Sequence, residues 1–317
     1  MEKMKAVVFN KKGSPEKLIY SDVDKPVPND DEVLIKVHAV APNAADYRSM
    51  KMGIIPEKKI FGADIAGCVE SIGKNIIQFK PGDEVMGDLA RYGFGGFAEY
   101  VTAPEKALII KPAKLSFEEG ATLPMAALTA LQALRDKGNI QKGQKVLIVG
   151  SAGGVGTFAV QLAKYFDTEV TGVCSSNNLQ QTRSIGADYV IDYTKESFTT
   201  NNMHYDLILA INGNYPITAY RKALAPNGIY VMVGGSLSQI FKSLVFGRLM
   251  SFGPKKMRFL SAKANKSDLE FLAKLLEDGK IKPVIDRRYS LDKTADAMSY
   301  LREGHSHGKV VIIVQSK

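Results

Sequence analysis

The sequence predicts an α/β protein in which a region of short strands precedes a doubly wound, parallel, six-stranded sheet. Three observations point there. Short apolar runs punctuated by Gly and Pro fill the chain up to about residue 112. From Lys145 onward, strand patterns alternate with helix patterns. A glycine-rich turn stands between the first of those strands and the first of those helices. At roughly 150 residues per domain, 317 residues suggest two domains.

Composition narrows the classes further. Apolar residues make up 45% and charged residues 24%, which excludes disordered and fibrous chains. No apolar stretch reaches the ~18 residues needed to cross a bilayer, so no membrane span is expected. Residues 1–10 have too short an apolar core for a signal peptide, and a cytoplasmic location is expected. Cys68 and Cys174 are the only cysteines, too few for a disulfide framework or a zinc site made mainly of thiolates. The net charge of +9 suits an anionic ligand or a solvated basic surface. The densest basic group, Lys255-Lys256-Met257-Arg258, lacks interleaved aromatics, so no nucleic acid partner is expected.

Taken in order, the first strands are expected at residues 5–9, 32–40, 64–71, 83–86, 96–102 and 108–111. Turn signals such as Lys80-Pro81-Gly82-Asp83 and Tyr92-Gly93-Phe94-Gly95-Gly96 separate them, which suits a small barrel or sandwich. Ser116-Phe117-Glu118-Glu119 then has capping-box spacing, and Met125, Leu128, Leu131 and Leu134 follow at helical intervals. The parallel sheet takes strands at 145–149, 169–174, 189–192, 206–211, 229–233 and 258–262. Its helices run near 155–166, 179–185, 216–225 and 238–249. A helix at 267–277, a strand at 284–289, a helix at 292–302 and a strand at 310–314 complete the chain. The expected domains are residues 1–122, completed by 267–317, and residues 123–266.

Lys145-Val146-Leu147-Ile148-Val149 reads as a strand buried on both faces. Gly150-Ser151-Ala152-Gly153-Gly154-Val155-Gly156 follows it and opens an amphipathic helix. Glycines there let the chain turn sharply and let backbone N–H groups approach a pyrophosphate, while the helix N-terminus adds partial positive charge. Gly150, Ser151, Gly153, Gly154, Val155 and Gly156 are therefore candidate dinucleotide-binding residues. The second strand ends in Cys174-Ser175-Ser176-Asn177-Asn178, without the acid that usually accepts from a ribose 2′-OH. Small polar side chains leave room for a 2′-phosphate, so NADPH is the expected cofactor, with Ser175, Ser176, Asn178 and Tyr193 at its adenosine end.

Longer-range motifs carry a resemblance. Phe61-Gly62-Ala63-Asp64-Ile65-Ala66-Gly67, Lys80-Pro81-Gly82-Asp83-Glu84-Val85, Gly96-Phe97-Ala98-Glu99-Tyr100-Val101, Leu123-Pro124 with Thr129-Ala130-Leu131-Gln132, the glycine loop and Gly308-Lys309-Val310-Val311 span nearly the whole chain. Together they resemble the medium-chain dehydrogenase/reductase superfamily, and within it the zinc-free quinone oxidoreductase group. The resemblance implies a GroES-like β-barrel domain beside a Rossmann domain, with a cleft where nicotinamide meets substrate. It also implies a homodimer joined through the Rossmann sheets. Zinc-dependent relatives hold their metal at positions that fall here on Asn43 (their Cys), Ala63 (their His) and Asp64 (their Glu), so no metal is expected.

Without a Lewis acid, an acceptor that is already electrophilic needs less help, as a quinone or an α,β-unsaturated carbonyl compound does. The expected activity is zinc-independent hydride transfer from NADPH to such a compound. Two alternatives stay open: an NADPH-dependent reductase of one particular enoyl or alkenal metabolite, and a catalytically silent NADPH binder that senses redox state or serves as a structural partner. Asn43, Tyr47 and Arg48 are the catalytic candidates. By resemblance, Asn43, Thr129 and Lys309 lie near the cofactor. Asn212, Gly213, Val233 and Gly234 join them because they end the fourth and fifth strands, the edge where open sheets bind ligands. Relatives often carry a basic residue at Asn177 or Asn178, so use of NADH is left open.

Overall fold

The computed structural model describes residues 2–10, 13–200, 202–211, 215–234, 253–304 and 306–314. They fall into two compact units: Met1–Leu128 with Ala264–Gly279 and Pro283–Lys317, and Thr129–Lys263 with Lys280–Lys282.

The first unit opens with an antiparallel ribbon of β1 (Lys3–Val8) and β2 (Ile19–Asp24). The second of these strands is absent from the sequence expectation for a physical reason: none of its residues is fully buried, so it lacks an apolar face. The main sheet is organised by β3 (Glu32–Ala41), which pairs antiparallel with β4 (Asp64–Ile72) and with β6 (Tyr100–Pro104). Next to β4 runs β5 (Glu84–Asp88), followed by β7 (Leu108–Ile110). Inside lie Phe9, Phe61, Phe97, Ile35, Ile65 and Met50, all inaccessible to solvent. Each such side chain contributes roughly 1.5–3 kcal/mol, and Phe9 and Phe61 meet edge to face at 5.5 Å.

Helix α1 (Ala44–Met52) leaves β3 across Pro42-Asn43 and stops at Gly53, whose φ of 78° lies in the left-handed region. Helix α2 (Phe117–Thr122) has the expected capping box: Ser116 Oγ accepts the Glu119 N–H, and the Glu119 carboxylate accepts the Ser116 N–H. The helical spacing beyond it does not produce one continuous helix. Pro124 has no N–H to donate and its ring crowds the preceding turn, so a separate α3 (Ala126–Gln132) forms, followed by a π-helical turn at Ala133–Lys137.

The second unit is a six-stranded parallel sheet of β8 (Lys145–Val149), β9 (Glu169–Cys174), β10 (Tyr189–Asp192), β11 (Tyr205–Ala210), β12 (Leu224–Met232) and β13 (Lys256–Phe259). Their order is β10-β9-β8-β11-β12-β13, the doubly wound dinucleotide-fold order with its switch point beside β8. Strand β12 begins ahead of the expected residue 229 because Leu224 already pairs with Tyr205, before an irregularity that contains Asn227 at φ 65°. Helices α4 (Gly154–Tyr165), α5 (Leu179–Ser184) and α6 (Ile217–Ala223) connect the strands. The expected helix at 238–249 lies outside the described residues.

The chain then returns to the first unit. Helix α7 (Lys266–Glu277) is capped by Asn265, whose side chain accepts the Asp268 N–H at 3.0 Å. Strand β14 (Ile285–Ser290), helix α8 (Thr294–Glu303) and strand β15 (Lys309–Ile313) follow. Strand β14 lies parallel to β15, and β15 pairs antiparallel with the end of β3. The last strand is thereby stitched beside the Pro42-Asn43 turn.

Among the caps, Ser116 is the cleanest to test. Ser116→Ala should lower the unfolding free energy by about 1 kcal/mol in urea titrations; an unchanged midpoint would show that the box adds nothing.

Candidate functional site

In the second unit the glycine loop is held by its neighbour strand. Gly150 adopts φ 85°, and the N–H groups of Gly150 and Ser151 both donate to the Val173 carbonyl at 3.1 Å. The Ser151 hydroxyl donates to that same oxygen, so its side chain secures the loop. A Cβ on Gly156 would lie 2.0 Å from the Gly150 carbonyl oxygen, which makes glycine obligatory there. A Cβ on Gly153 would meet nothing closer than 3.9 Å, so the space above the start of α4 is open. The first N–H groups of a helix have no intrahelical acceptor and carry its positive end.

The end of β9 lies beside this loop. Asn178 Nδ2 donates to Ser175 Oγ at 3.0 Å, and Asn178 Oδ1 is buried with no hydrogen-bond partner. Ser176 Oγ is hydrogen-bonded to the Asp192 carboxylate and lies 3.1 Å from Thr194 Oγ1. Tyr193 is exposed, and its N–H donates to the Cys174 carbonyl at 3.1 Å. Ser175, Ser176, Asn178 and Tyr193 are thus gathered at one corner. Val233 follows β12 and donates its N–H to the Ala210 carbonyl, with Gly234 next to it, and Thr129 is buried in α3. Asn212 and Gly213 lie outside the described residues. An open helix N-terminus and an orphaned amide oxygen at the strand edge fit a dinucleotide.

The first unit holds a buried polar group at the junction of β3, α1, β4 and β15. Lys309 Nζ donates to Asn43 Oδ1 at 2.7 Å and lies 3.7 Å from Asp64 Oδ2. Asn43 Nδ2 donates to Asp64 Oδ2 at 2.8 Å and to the Ala41 carbonyl at 3.1 Å. The Met125 N–H also reaches Asp64 Oδ2, while Asp64 Oδ1 is buried with no hydrogen-bond partner. Asp46 accepts the N–H groups of Asn43 at 2.7 Å and Gly62 at 3.1 Å, which fixes the turn before α1. Asp88 stands opposite Asp64 across β4 and β5.

Burial dominates the electrostatics here. It pushes the Asp46 carboxyl up to about 6, although the Asn43 and Gly62 N–H groups oppose the shift. Burial also raises Asp64 well above the usual carboxylate range, with Lys309 opposing and the like charge of Asp88 adding to it. The Lys309 ammonium is pushed down by burial, and Asp64 and Asp46 counter that. Asp88 is raised by burial as well.

The structure joins Asn43 to Lys309 and leaves the other two catalytic candidates outside that hydrogen-bonded group. Tyr47 packs against the apolar core, with the Arg48 guanidinium carbon 5.9 Å from its ring centre. Asp88 and Asp192 are the polar residues that the sequence reading missed, and Asp64 entered it only as a zinc-ligand position. The Asn43-x-x-Asp46 spacing was a legible signal for a capping box, and an acid closing a parallel strand was one for Asp192. This donor set does not fit a zinc ion. Asn43 Oδ1 already accepts from an ammonium, Ala63 has no donor atom, and Asp64 is paired with the same ammonium. The described residues include no group of three or more His, Cys, Asp or Glu arranged to hold a metal.

Comparison with known proteins agrees with this architecture. Residues 29–113 match the alcohol dehydrogenase GroES-like domain, and residues 185–312 match the domain described as zinc-binding dehydrogenase. The chain is 36% identical to a 2-methylene-furan-3-one reductase of Solanum lycopersicum, covering 98% of this chain and 79% of that protein. It is 32% identical to a chloroplastic NADPH-dependent alkenal/one oxidoreductase of Arabidopsis thaliana, covering 98% and 80%. The quinone oxidoreductase structure from Coxiella burnetii superimposes with a TM-score of 0.90 at 31% identity, covering 99% of this chain and 100% of that one. The chain therefore belongs to the medium-chain dehydrogenase/reductase superfamily, in its quinone-oxidoreductase-like group. That is a family of oxidoreductases built on an NAD(P)-binding Rossmann fold.

Lys309→Met leaves two buried carboxylates without their counter-charge, and should cost about 3–5 kcal/mol in urea unfolding. Adding Asp64→Asn should recover part of that loss; full additivity would argue against the pair. Asp46 supplies a pH test. Its folded pKa of about 6 lies above the unfolded value near 3.9, so its contribution is complete below about pH 4 and is lost as pH rises through 6. The stability of the wild type relative to Asp46→Asn should therefore fall between pH 4 and pH 7. A pH-independent difference would contradict this.

Proposed function

We propose that this chain is a zinc-independent, NADPH-dependent reductase of quinones and α,β-unsaturated carbonyl compounds. The observation that carries the reading is the buried Lys309–Asn43–Asp64 group, in which Asn43 and Asp64, at two positions where the resemblance puts the metal ligands of zinc-dependent relatives, are engaged by an ammonium. Relatives along nearly the whole chain, named for quinone, alkenal/one and methylene-furanone reduction, support the substrate class. One of them is named NADPH-dependent.

When bound, NADPH supplies a hydride. Backbone N–H groups at Gly153, Gly154, Val155 and Gly156 hold the pyrophosphate, and Ser175, Ser176, Asn178 and Tyr193 receive the adenosine end. Thr129, Val233 and Gly234 would complete the nucleotide site. In the first unit both amide hydrogens of Asn43 are already given, to Ala41 O and Asp64. Asn43 therefore serves to position Lys309, whose ammonium has three donors and spends one on Asn43. Its charge and its remaining hydrogens would suit a substrate oxygen that gains electron density on reduction. A proton from solvent then completes the reduction. The reading includes a homodimer through the parallel sheet and a cytoplasmic setting, testable by sedimentation and cell fractionation.

The experiment is NADPH oxidation against a panel of quinones and enones with a metal chelator present throughout. Turnover should survive the chelator, and Asn43→Ala should reduce kcat by about 10- to 100-fold by releasing Lys309. Loss of activity with chelator would overturn the zinc-free reading. A wild type that binds NADPH yet reduces no acceptor would favour the silent binder.

A further inference from the structure

One carboxylate in the second unit has no part in the proposed chemistry, yet it stands at the corner that receives the adenosine ribose. Strands β9 and β10 are parallel neighbours, and Asp192 lies directly opposite Cys174, the last residue of β9. The Asp192 side chain is only 6% exposed. One of its oxygens accepts from the Ser176 hydroxyl. The other accepts from the Thr194 N–H at 3.0 Å and from the Thr194 hydroxyl at 2.6 Å. Ser176 and Thr194 thereby hold the Asp192 carboxyl below the usual carboxylate range, so it is ionised at neutral pH.

The hydroxyl protons of Ser176 and Thr194 are committed to Asp192, which leaves Ser176 Oγ with lone pairs only. Asn178 gives an amide hydrogen to Ser175 Oγ and keeps a bare, buried Oδ1. Among the nearby cations, Lys195 Nζ is 3.8 Å from Asp192 itself and its side chain is 73% exposed, while Arg183 is exposed on α5. The corner therefore holds a fixed negative charge among acceptors, with the Ser175 hydroxyl proton and the second Asn178 amide hydrogen as its uncommitted side-chain donors. A ribose 2′-hydroxyl can donate into such a site, whereas a 2′-phosphate is an acceptor of like charge.

We propose that Asp192 is a specificity-determining residue for the cofactor: held by Ser176 and Thr194, it opposes a 2′-phosphate and keeps the 2′-hydroxyl dinucleotide acceptable beside it. The proposal rests on the nucleotide site described above and refines the cofactor choice. NADPH preference is held to a modest ratio, and NADH serves as well.

The test is calorimetric titration of the whole protein with adenosine 5′-monophosphate and adenosine 2′,5′-bisphosphate, which differ only at the 2′ position. The wild type should bind the bisphosphate no more than about 10-fold tighter than the monophosphate. Asp192→Asn, which keeps the size, should bind the bisphosphate about 5- to 10-fold tighter than the wild type does, with monophosphate affinity unchanged or weaker. Asp192→Ser should shift the ratio the same way, with thermal unfolding followed alongside as a check on folding. A wild-type ratio above about 100-fold, or variants that move both ligands equally or neither, would overturn the role of Asp192 while leaving the nucleotide site intact. A wild type that binds neither ligand would overturn the nucleotide site and this proposal together.

Discussion

Burying the ammonium of Lys309 imposes a constraint on much of the first unit. Desolvation of a charge costs several kcal/mol unless partners surround it, and here the partners come from separate parts of the chain. Asn43 ends the turn after β3, Asp64 opens β4, Asp46 lies in the first turn of α1, and Lys309 opens β15. The pairing of β15 with β3 brings the last strand to that turn. A hydrogen bond across 266 residues of sequence then fixes the amide of Asn43. The same contacts engage Asn43 Oδ1 and Asp64, so these two residues do not suit a zinc ion.

The second unit solves a different problem with backbone alone. Its phosphate loop is shaped by a positive φ at Gly150, a close approach at Gly156 and hydrogen bonds onto the Val173 carbonyl. None of these requires a charged side chain. Polar side chains enter only at the ends of β9 and β10, where Ser176, Asn178, Asp192 and Thr194 form a short network. In the proposed reading, binding of the common part of a dinucleotide is thereby separated from the choice between its two forms.

Much of this architecture was legible in the sequence because the signals were local. β8 and β9 follow their apolar runs, the capping box appears at Ser116, and the glycine loop sits between strand and helix as read. What the sequence hid was of two kinds. Some elements carry weak patterns: β2 has no buried face, and Pro124 interrupts a helical spacing that looks continuous. Other features depend on distant partners. Asn43 was readable as a polar residue after Pro42, but its use of both amide hydrogens is set by Ala41 and Asp64. Tyr47 and Arg48 share its segment, yet helical geometry turns Tyr47 onto the core. Asp192 is 16 residues from Ser176 and meets it only through strand pairing.

The proposed reaction is direct hydride transfer without a metal, with Lys309 held ready by Asn43. Its most direct test is to supply NADPH deuterated at the transferable position of the nicotinamide to metal-stripped protein and locate the label in a reduced enone by mass spectrometry. Deuterium at the β-carbon, with no zinc added back, is the predicted result. An unlabelled product, or reduction that appears only on adding zinc, would contradict it.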